Sequence, residues 1–357
     1  MPRPTLARID LEALRHNYRQ ASERAAPALA MAVVKADGYG HGIAQVAQAL
    51  SDAPKYAVAC LEEALAIRAA GLLQPVVLLQ GVHSAGDLDL CLQRGFEPVL
   101  HGHQQLDWLE QGEARPTFWL KVNTGMNRLG FHPDELADVM ARLDRLGARP
   151  GLLGFVTHFA CADDNDSTMT EEQTACFVEA TAPWPELMKS VGNSAAHFIP
   201  GQPLFDWSRP GIMLYGGSPL LGKIGPELGL KPVMSLQAPL MSVRTIEAGE
   251  SVGYGAGFVA DRRLRMGMVA IGYGDGYPRH AGTDTPAAIN GRRIRLIGRV
   301  SMDMLAVDLS NVPDAREGDL VELWGETVAV DEVARCAGTI GYELLTGITA
   351  RVPREYR

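Results

Sequence analysis

The sequence predicts an α/β architecture, an N-terminal (β/α)8 barrel followed by a mostly-β domain, and three observations carry that reading. Short apolar runs alternate with segments of helical period as far as Gly216. From about residue 225 onward, β-type runs follow one another with no long helix between them. The chain has 357 residues, more than one ordinary domain holds.

The runs of the first part are MAVVK (ending at Lys35), YAVAC (ending at Cys60), PVVLLQ, EPVLH, TFWLKVN, LLGFVTH, KSVGN and GIMLYG. The helices between them show in their spacing. After Gly42, Ile43, Val46, Ala47 and Leu50 fall at i, i+3, i+4 and i+7. After Pro133 a stripe of Leu136, Val139, Met140, Leu143 and Leu146 stops where Gly147 stands in a C-cap position. Eight strands with intervening helices point to a closed barrel, whose functional groups gather at the C-terminal strand ends. An open doubly wound sheet is the alternative. In the second part the β-type runs are MSLQAPLMSVRTI, LRMGMVAIGYG, RRIRLIGRVSMDMLAVDLS and DLVELWG. The stretch from Gly216 to Pro232 has linker-like composition. It divides the chain into a barrel, 10–224, and a β domain, 225–357.

Composition excludes several classes. Lys and Arg number 33 against 42 Asp and Glu, a formal net charge of −9, which disfavours binding to a nucleic-acid backbone. No apolar run approaches the ~20 residues that span a bilayer. The opening MPRPTLARIDLEALRHNY lacks the apolar core of a signal peptide, so a cytoplasmic location is expected. The five cysteines are scattered with no C-x-x-C pair, which suits neither a disulfide framework nor a thiolate zinc site. His101 and His103 could share one strand face and bind a metal. No carboxylate or cysteine at ligand spacing accompanies them, and no metal is expected.

Three Gly-Tyr-Gly runs, 38–40, 253–255 and 272–274, combine a sharply turning backbone with a projecting ring. None continues as a dinucleotide fingerprint. Lys35 ends an apolar run just before the first of them, in AVVKADGYGHG. At a barrel's functional face, desolvation can lower a lysine's pKa and free its amine for a Schiff base.

These eleven residues resemble the pyridoxal-phosphate lysine signature of the alanine racemase family. The resemblance extends through LKVNTGMNRLGF, FVTHFA, GNSAA, SRPGIMLYG, SVGYGAGF, IGYGDGYPR, GRVSMDM and IGYELLTGI, in the family's order and spacing. It implies an isomerase that interconverts L- and D-alanine with pyridoxal phosphate. It also implies that residues 1–9 add a strand to the β domain, and that two copies pair head to tail as a homodimer in which each active site is completed by the other copy.

By the same resemblance, Lys35 forms the Schiff base with the cofactor and is one base, and Tyr254 of the partner subunit is the other. One base on each face of a planar intermediate suffices for racemisation. A tyrosine, with its reference pKa near 10, then needs positive surroundings to act as a base. His158 and Arg209 belong to that network in the family. Arg209 matches the arginine that bonds the pyridine nitrogen, and a guanidinium there leaves that nitrogen unprotonated. The cofactor phosphate falls to Tyr39, Ser194, Tyr342 and the backbone of Gly211 and Ile212. The substrate carboxylate falls to Arg128 and to the backbone of the partner's Met302, with Tyr273 and Asp303 narrowing the entrance. Lys121 aligns with a lysine that is carbamylated in many members; unmodified, it would repel Arg128. Where the family often has aspartate this chain has Asn123, which bears on how Arg128 is positioned.

Two alternatives share the chemistry: a racemase of broader specificity, and a barrel-fold amino-acid decarboxylase. The latter family uses a glutamate at the pyridine nitrogen and a catalytic cysteine, where this chain has Arg209 and Tyr254. A non-catalytic pyridoxal-phosphate binding protein would need the barrel alone. The activity that the resemblance implies supplies D-alanine for peptidoglycan precursors or acts in alanine catabolism.

Overall fold

The structure is a computed structural model and describes residues 4–113, 115–164 and 166–357. Nine parallel strand segments form one sheet that closes on itself. Leu29–Ala30 and Ala32–Val33 are two halves of one strand, interrupted at Met31. The first half pairs with Trp207–Ser208 and the second with Tyr56–Val58, so a single strand seals an eight-stranded barrel. The remaining strands are Val76–Leu78, Phe96–Leu100, Phe118–Lys121, Leu152–Val156 and Met188–Ser190. Tyr56–Val58, Phe96–Leu100 and Phe118–Lys121 are buried throughout, as strands covered on both faces must be.

Seven of the eight expected strands lie in their runs, and one expectation is corrected. GIMLYG is a short 3-10 helix, Ile212–Tyr215, and the eighth strand is Trp207–Ser208 just before it. Ile212, Met213, Leu214 and Tyr215 are all buried, so the run's apolarity reflects burial in another backbone shape. The expected helices occupy Ile43–Ala49 and Leu136–Arg145, and Gly147 beyond the latter has φ +62°.

At the N-terminal end of the barrel lies a buried ion pair. Lys55 Nζ is 2.5 and 2.6 Å from the two carboxylate oxygens of Glu97, and Trp119 Nε1 donates to the same carboxylate at 2.9 Å. The ammonium also stands 5.1 Å from the Trp207 ring centre. The opposite end is thereby left to the chemistry.

The second sheet has eight strands. Leu264–Val269, Leu305–Asp308, Arg292–Ile297, Pro286–Ile289, Leu320–Trp324 and Met234–Ile246 follow one another, and the last returns to pair with the first. RRIRLIGRVSMDMLAVDLS therefore contains two strands. Leu6–Ile9 joins this sheet between Met234–Ile246 and Arg354–Tyr356. Two short helices, Val330–Cys336 and Gly341–Gly347, complete the second part. The linker-like stretch is tied down by Asp331, which accepts from the N–H groups of Ser218 and Gly225.

Gly341–Gly347 packs on the Gly-Tyr-Gly turn that follows Lys35. A Cβ at Gly40, which has φ +80°, would overlap the carbonyl oxygen of Leu345. Only glycine permits both that backbone and that approach. Arg354 Nε adds a 3.1 Å hydrogen bond to the Gly40 carbonyl.

Candidate active site

A cavity of about 700 Å³ opens at the C-terminal ends of the barrel strands. Lys35, Tyr39, Lys121, Arg128, His158, Ser194, Arg209, Gly211, Ile212 and Tyr342 all line it. Nine of these ten come from the barrel part; Tyr342 arrives on the helix Gly341–Gly347.

Lys35 stands two residues past the strand Ala32–Val33, and the chain behind it turns with the wrong hand. Ala36, Asp37, Gly38 and Tyr39 have φ of 53°, 53°, 60° and 52°. Each non-glycine residue in that conformation costs ~1–2 kcal/mol, so the turn persists only because its surroundings hold it. Burial, then Arg128, lowers the Lys35 pKa; Glu63 opposes this and Arg209 adds to it.

Arg209 is 7% exposed and follows the strand Trp207–Ser208. Its Nη1 donates to Ser190 Oγ, and its Nη2 donates to the carbonyl of Thr157 at 2.5 Å and that of Val191 at 3.3 Å. None of these partners is a carboxylate, and Nε makes none of these bonds. Burial lowers its pKa to about 10, which still leaves it protonated at neutral pH. Lys121, 9% exposed at the end of Phe118–Lys121, is lowered to about 8 by burial, with Arg209, Arg128 and Lys35 adding to it. Burial chiefly, then Arg209, Lys121, Arg128 and Lys35, holds the His158 imidazole well below its usual range. The ring is neutral in the physiological range.

One wall differs in character. Ser194 Oγ accepts from the Gly211 N–H at 2.7 Å and faces the Met213 N–H at 3.4 Å. A Cβ at Gly211 would fall on the Tyr39 hydroxyl and 3.1 Å from its Cζ. Tyr39 stacks on Tyr215 with ring centres 4.6 Å apart, and Tyr342 stands 6.2 Å from Tyr39. Burial pushes the pKa of both Tyr39 and Tyr342 upward, so both keep the proton that a hydrogen-bond donor needs. Hydroxyls and backbone N–H groups beside a set of cations fit a phosphorylated group.

Asn123 takes up a task in the loop that carries Arg128. Its Oδ1 accepts from the N–H groups of Gly125 and Asn127, at 3.2 and 3.0 Å. A side-chain amide thus organises the turn without adding a charge. Behind the loop, Gln173 is 1% exposed and donates to Thr124 Oγ1 and to the His158 carbonyl, joining two strand ends.

The other four expected site residues do not line this cavity. Tyr254, Tyr273, Met302 and Asp303 lie in the second part of the chain, with Tyr254 73% and Met302 53% exposed. The Tyr273 N–H donates to the Ser301 carbonyl and the Gly274 N–H to that of Met302, drawing those loops together. Arg351 bonds Asp303 at 2.6 Å and reaches Asp275 at 3.3 Å. His101 and His103 take separate partners, the Gln80 carbonyl and Glu135 respectively, and His103 begins a helix. Among the described residues no three His, Cys, Asp or Glu side chains cluster as metal ligands.

Sequence reasoning missed Ser190, Thr157 and Glu63. Ser190 carried a signal, a polar residue inside the run KSVGN, and the strand Met188–Ser190 ends on it. Thr157 acts through its carbonyl, which no sequence displays.

Two family models divide the chain: alanine racemase, N-terminal domain, matches residues 9–219, and alanine racemase, C-terminal domain, matches residues 233–356. The alanine racemase of Marinobacter nauticus is 69% identical over 355 residues, 99% of each chain. The biosynthetic alanine racemase of Pseudomonas aeruginosa is 49% identical over 359 residues, again 99% of each. Its crystal structure superposes with a TM-score of 0.95 at 48% identity, covering 99% of both chains. The alanine racemase structure from Bartonella henselae, with covalently bound pyridoxal phosphate, matches at a TM-score of 0.88 and 30% identity over 100% of both. The chain belongs to the alanine racemase family.

Proposed function

We infer that this chain interconverts L- and D-alanine with pyridoxal phosphate as its cofactor. One observation carries the reading: a desolvated lysine amine shares a cavity with an arginine that has no carboxylate partner among the described residues and with a wall of hydroxyls and backbone donors. Tyr39, Ser194, Tyr342 and the N–H groups of Ile212 and of Gly211, which here donates to Ser194 Oγ, would hold the phosphate. Arg209 would bond the pyridine nitrogen and, as a pure donor, leave it unprotonated. When bound, the cofactor supplies an electron sink conjugated to the substrate Cα.

The residues do the rest. Lys35 exchanges a proton at Cα on one face, and Tyr254 of the partner subunit does so on the other. Arg128 grips the substrate carboxylate through its planar fork. Neutral His158 can pass or accept a hydrogen bond without adding charge. The backbone of the partner's Met302 completes the carboxylate site, and Tyr273 and Asp303 border the entrance. Lys121 has an amine partly neutral near pH 8, the form that adds carbon dioxide; as a carbamate it would turn from repelling Arg128 to orienting it.

The homodimer is part of the proposal. Support comes from the separation of the site residues into a cavity in the barrel and an exposed set on the β domain. The division of labour follows residues 10–224 for the barrel and 225–357 with 1–9 for the β domain. The five unpaired cysteines suit a reducing compartment, and we place the chain in the cytoplasm. No helix among the described residues is long and apolar enough to cross a membrane.

The test is to incubate the protein with L-alanine and measure D-alanine with and without added pyridoxal phosphate. Absence of D-alanine at every protein concentration refutes the assignment. Tyr254→Phe abolishes racemisation while Lys35 still exchanges the Cα proton of one enantiomer with solvent. Mixing Lys35→Ala with Tyr254→Phe subunits regains about a quarter of wild-type activity, since half the dimers carry one intact site. No regain removes the shared site from the scheme.

A further inference from the structure

The peptide immediately after Lys35 raises a bonding question. Strand pairing continues as far as Val34, whose N–H donates to the Ala57 carbonyl at 2.9 Å. Beyond Lys35 the chain leaves the sheet, and the Ala36 N–H has no backbone partner. Glu63, in the first turn of the helix Leu61–Ala69, supplies one: its Oε1 accepts from Ala36 N at 2.6 Å. Its Oε2 accepts from Ala59 N at 2.8 Å, at the end of the neighbouring strand.

One carboxylate therefore ties two strand ends together at the point where the left-handed turn begins. The rest of that turn is held by its own groups and, at Gly40, by Arg354 and the helix packed on it. Gly38 N donates to the Val34 carbonyl, Gly40 N to that of Ala36, and Asp37 Oδ1 accepts from Ile43 N at 2.8 Å. The charges facing Lys35 are those of Arg128, Arg209 and Glu63, and Lys35 in turn acts on Lys121 and His158. Glu63 is the one anion in that set.

We propose that Glu63 is a positioning residue for the lysine base: by clamping the Ala36 and Ala59 N–H groups it fixes the left-handed turn that presents the Lys35 amine to the cavity. The inference rests on the reading of Lys35 as the cofactor-linked base. Glu63 does not line the cavity, and its role runs through the backbone and charge at Lys35.

The experiment compares wild type, Glu63→Gln and Glu63→Asp in two ways. First, the apoprotein is labelled with acetic anhydride across a pH series, and acylation of the peptide bearing Lys35 is read by mass spectrometry, with Lys35→Ala as the blank. Loss of the carboxylate in Glu63→Gln lowers the apparent Lys35 pKa by about half a unit or more, because the remaining neighbours are cationic. Glu63→Asp keeps the charge with a shorter reach and shifts it less. Second, in the holoenzyme, Glu63→Gln loses kcat by about tenfold or more while KM for alanine stays within about threefold, since a misplaced base affects the proton step.

An unmoved Lys35 titration overturns the proposal, whatever happens to activity. So does a parallel change in kcat and KM, the mark of a merely structural role. If Glu63→Gln does not fold, the same two readouts on Glu63→Asp decide. Should the wild type bind pyridoxal phosphate but fail to racemise alanine, the kinetic arm fails with the functional reading, and the apoprotein titration still tests Glu63.

Discussion

Replacing Gly211 with alanine tests the phosphate wall directly. The new Cβ falls on the Tyr39 hydroxyl, so the phenol must leave its place, although the ring can remain stacked on Tyr215. The lost interaction is a hydrogen bond to a charged group, worth ~1.5–3 kcal/mol. At 1.4 kcal/mol per decade, pyridoxal phosphate then binds ~10- to 150-fold more weakly. Tyr39→Phe removes the same hydroxyl without crowding, so the two changes have a common cause and the double variant is little worse than either alone. The assay is an absorbance titration of the apoprotein with pyridoxal phosphate and, separately, with pyridoxal, which lacks the phosphate. Additive losses, or equal losses for the two ligands, would refute the argument that Gly211 exists to make room for a phosphate-binding tyrosine.

Three further outcomes follow from other parts of the molecule. Glu97→Gln leaves the buried Lys55 ammonium without its counter-ion and lowers stability by ~3–5 kcal/mol, whereas replacing both residues with apolar ones of similar volume costs far less; urea unfolding distinguishes the two, and a single-variant loss under about 1 kcal/mol counts against the ion-pair reading. Burial lowers the pKa of both His41 and His197 to about 4. The unfolded chain therefore binds protons at these positions as pH falls from ~6.5 while the folded chain does not, and stability declines by roughly 1.4 kcal/mol per pH unit for each until about pH 4. The urea midpoint of His197→Asn should depend less steeply on pH across that window, and an unchanged slope would remove His197 from the account. Arg209→Glu offers the pyridine nitrogen an acceptor in place of a donor, so it slows racemisation and raises the share of turnovers ending in transamination, measured as pyruvate formed per D-alanine.

The barrel was legible because parallel strands buried on both faces are mostly apolar, and most of the seven runs announced themselves that way, KSVGN with its single apolar residue being the exception. The eighth failed for a physical reason. Trp207–Ser208 is two residues long, too short for any periodicity, and the fully buried GIMLYG beside it looks no different from a strand. Lys35 was legible at the end of its run, but its grouping with Lys121, His158 and Arg209 came from the family resemblance; the structure shows each of the four at or just past a strand end. Their separation from Tyr254, Tyr273, Met302 and Asp303 was given only by the family resemblance, because no local pattern tells an exposed tyrosine from a gate. Glu63 was hidden for a different reason: an acidic residue in a first helical turn is expected simply for the dipole. Only the three-dimensional neighbourhood shows that its carboxylate bonds the backbone of two strands instead.

The strand Leu6–Ile9 has a consequence for synthesis. Leu6 pairs with Gln237 and Ala7 with Arg354, so this strand waits for partners that follow it in the chain by 231 and 347 residues. At ~5–20 residues per second the delay is on the order of 20–70 s, during which the nascent barrel trails an unpaired β segment with one apolar face. The second sheet is thus finished by a stitch between segments far apart in the chain, and chaperone engagement of the nascent chain is expected to centre on that waiting segment until translation passes Tyr356.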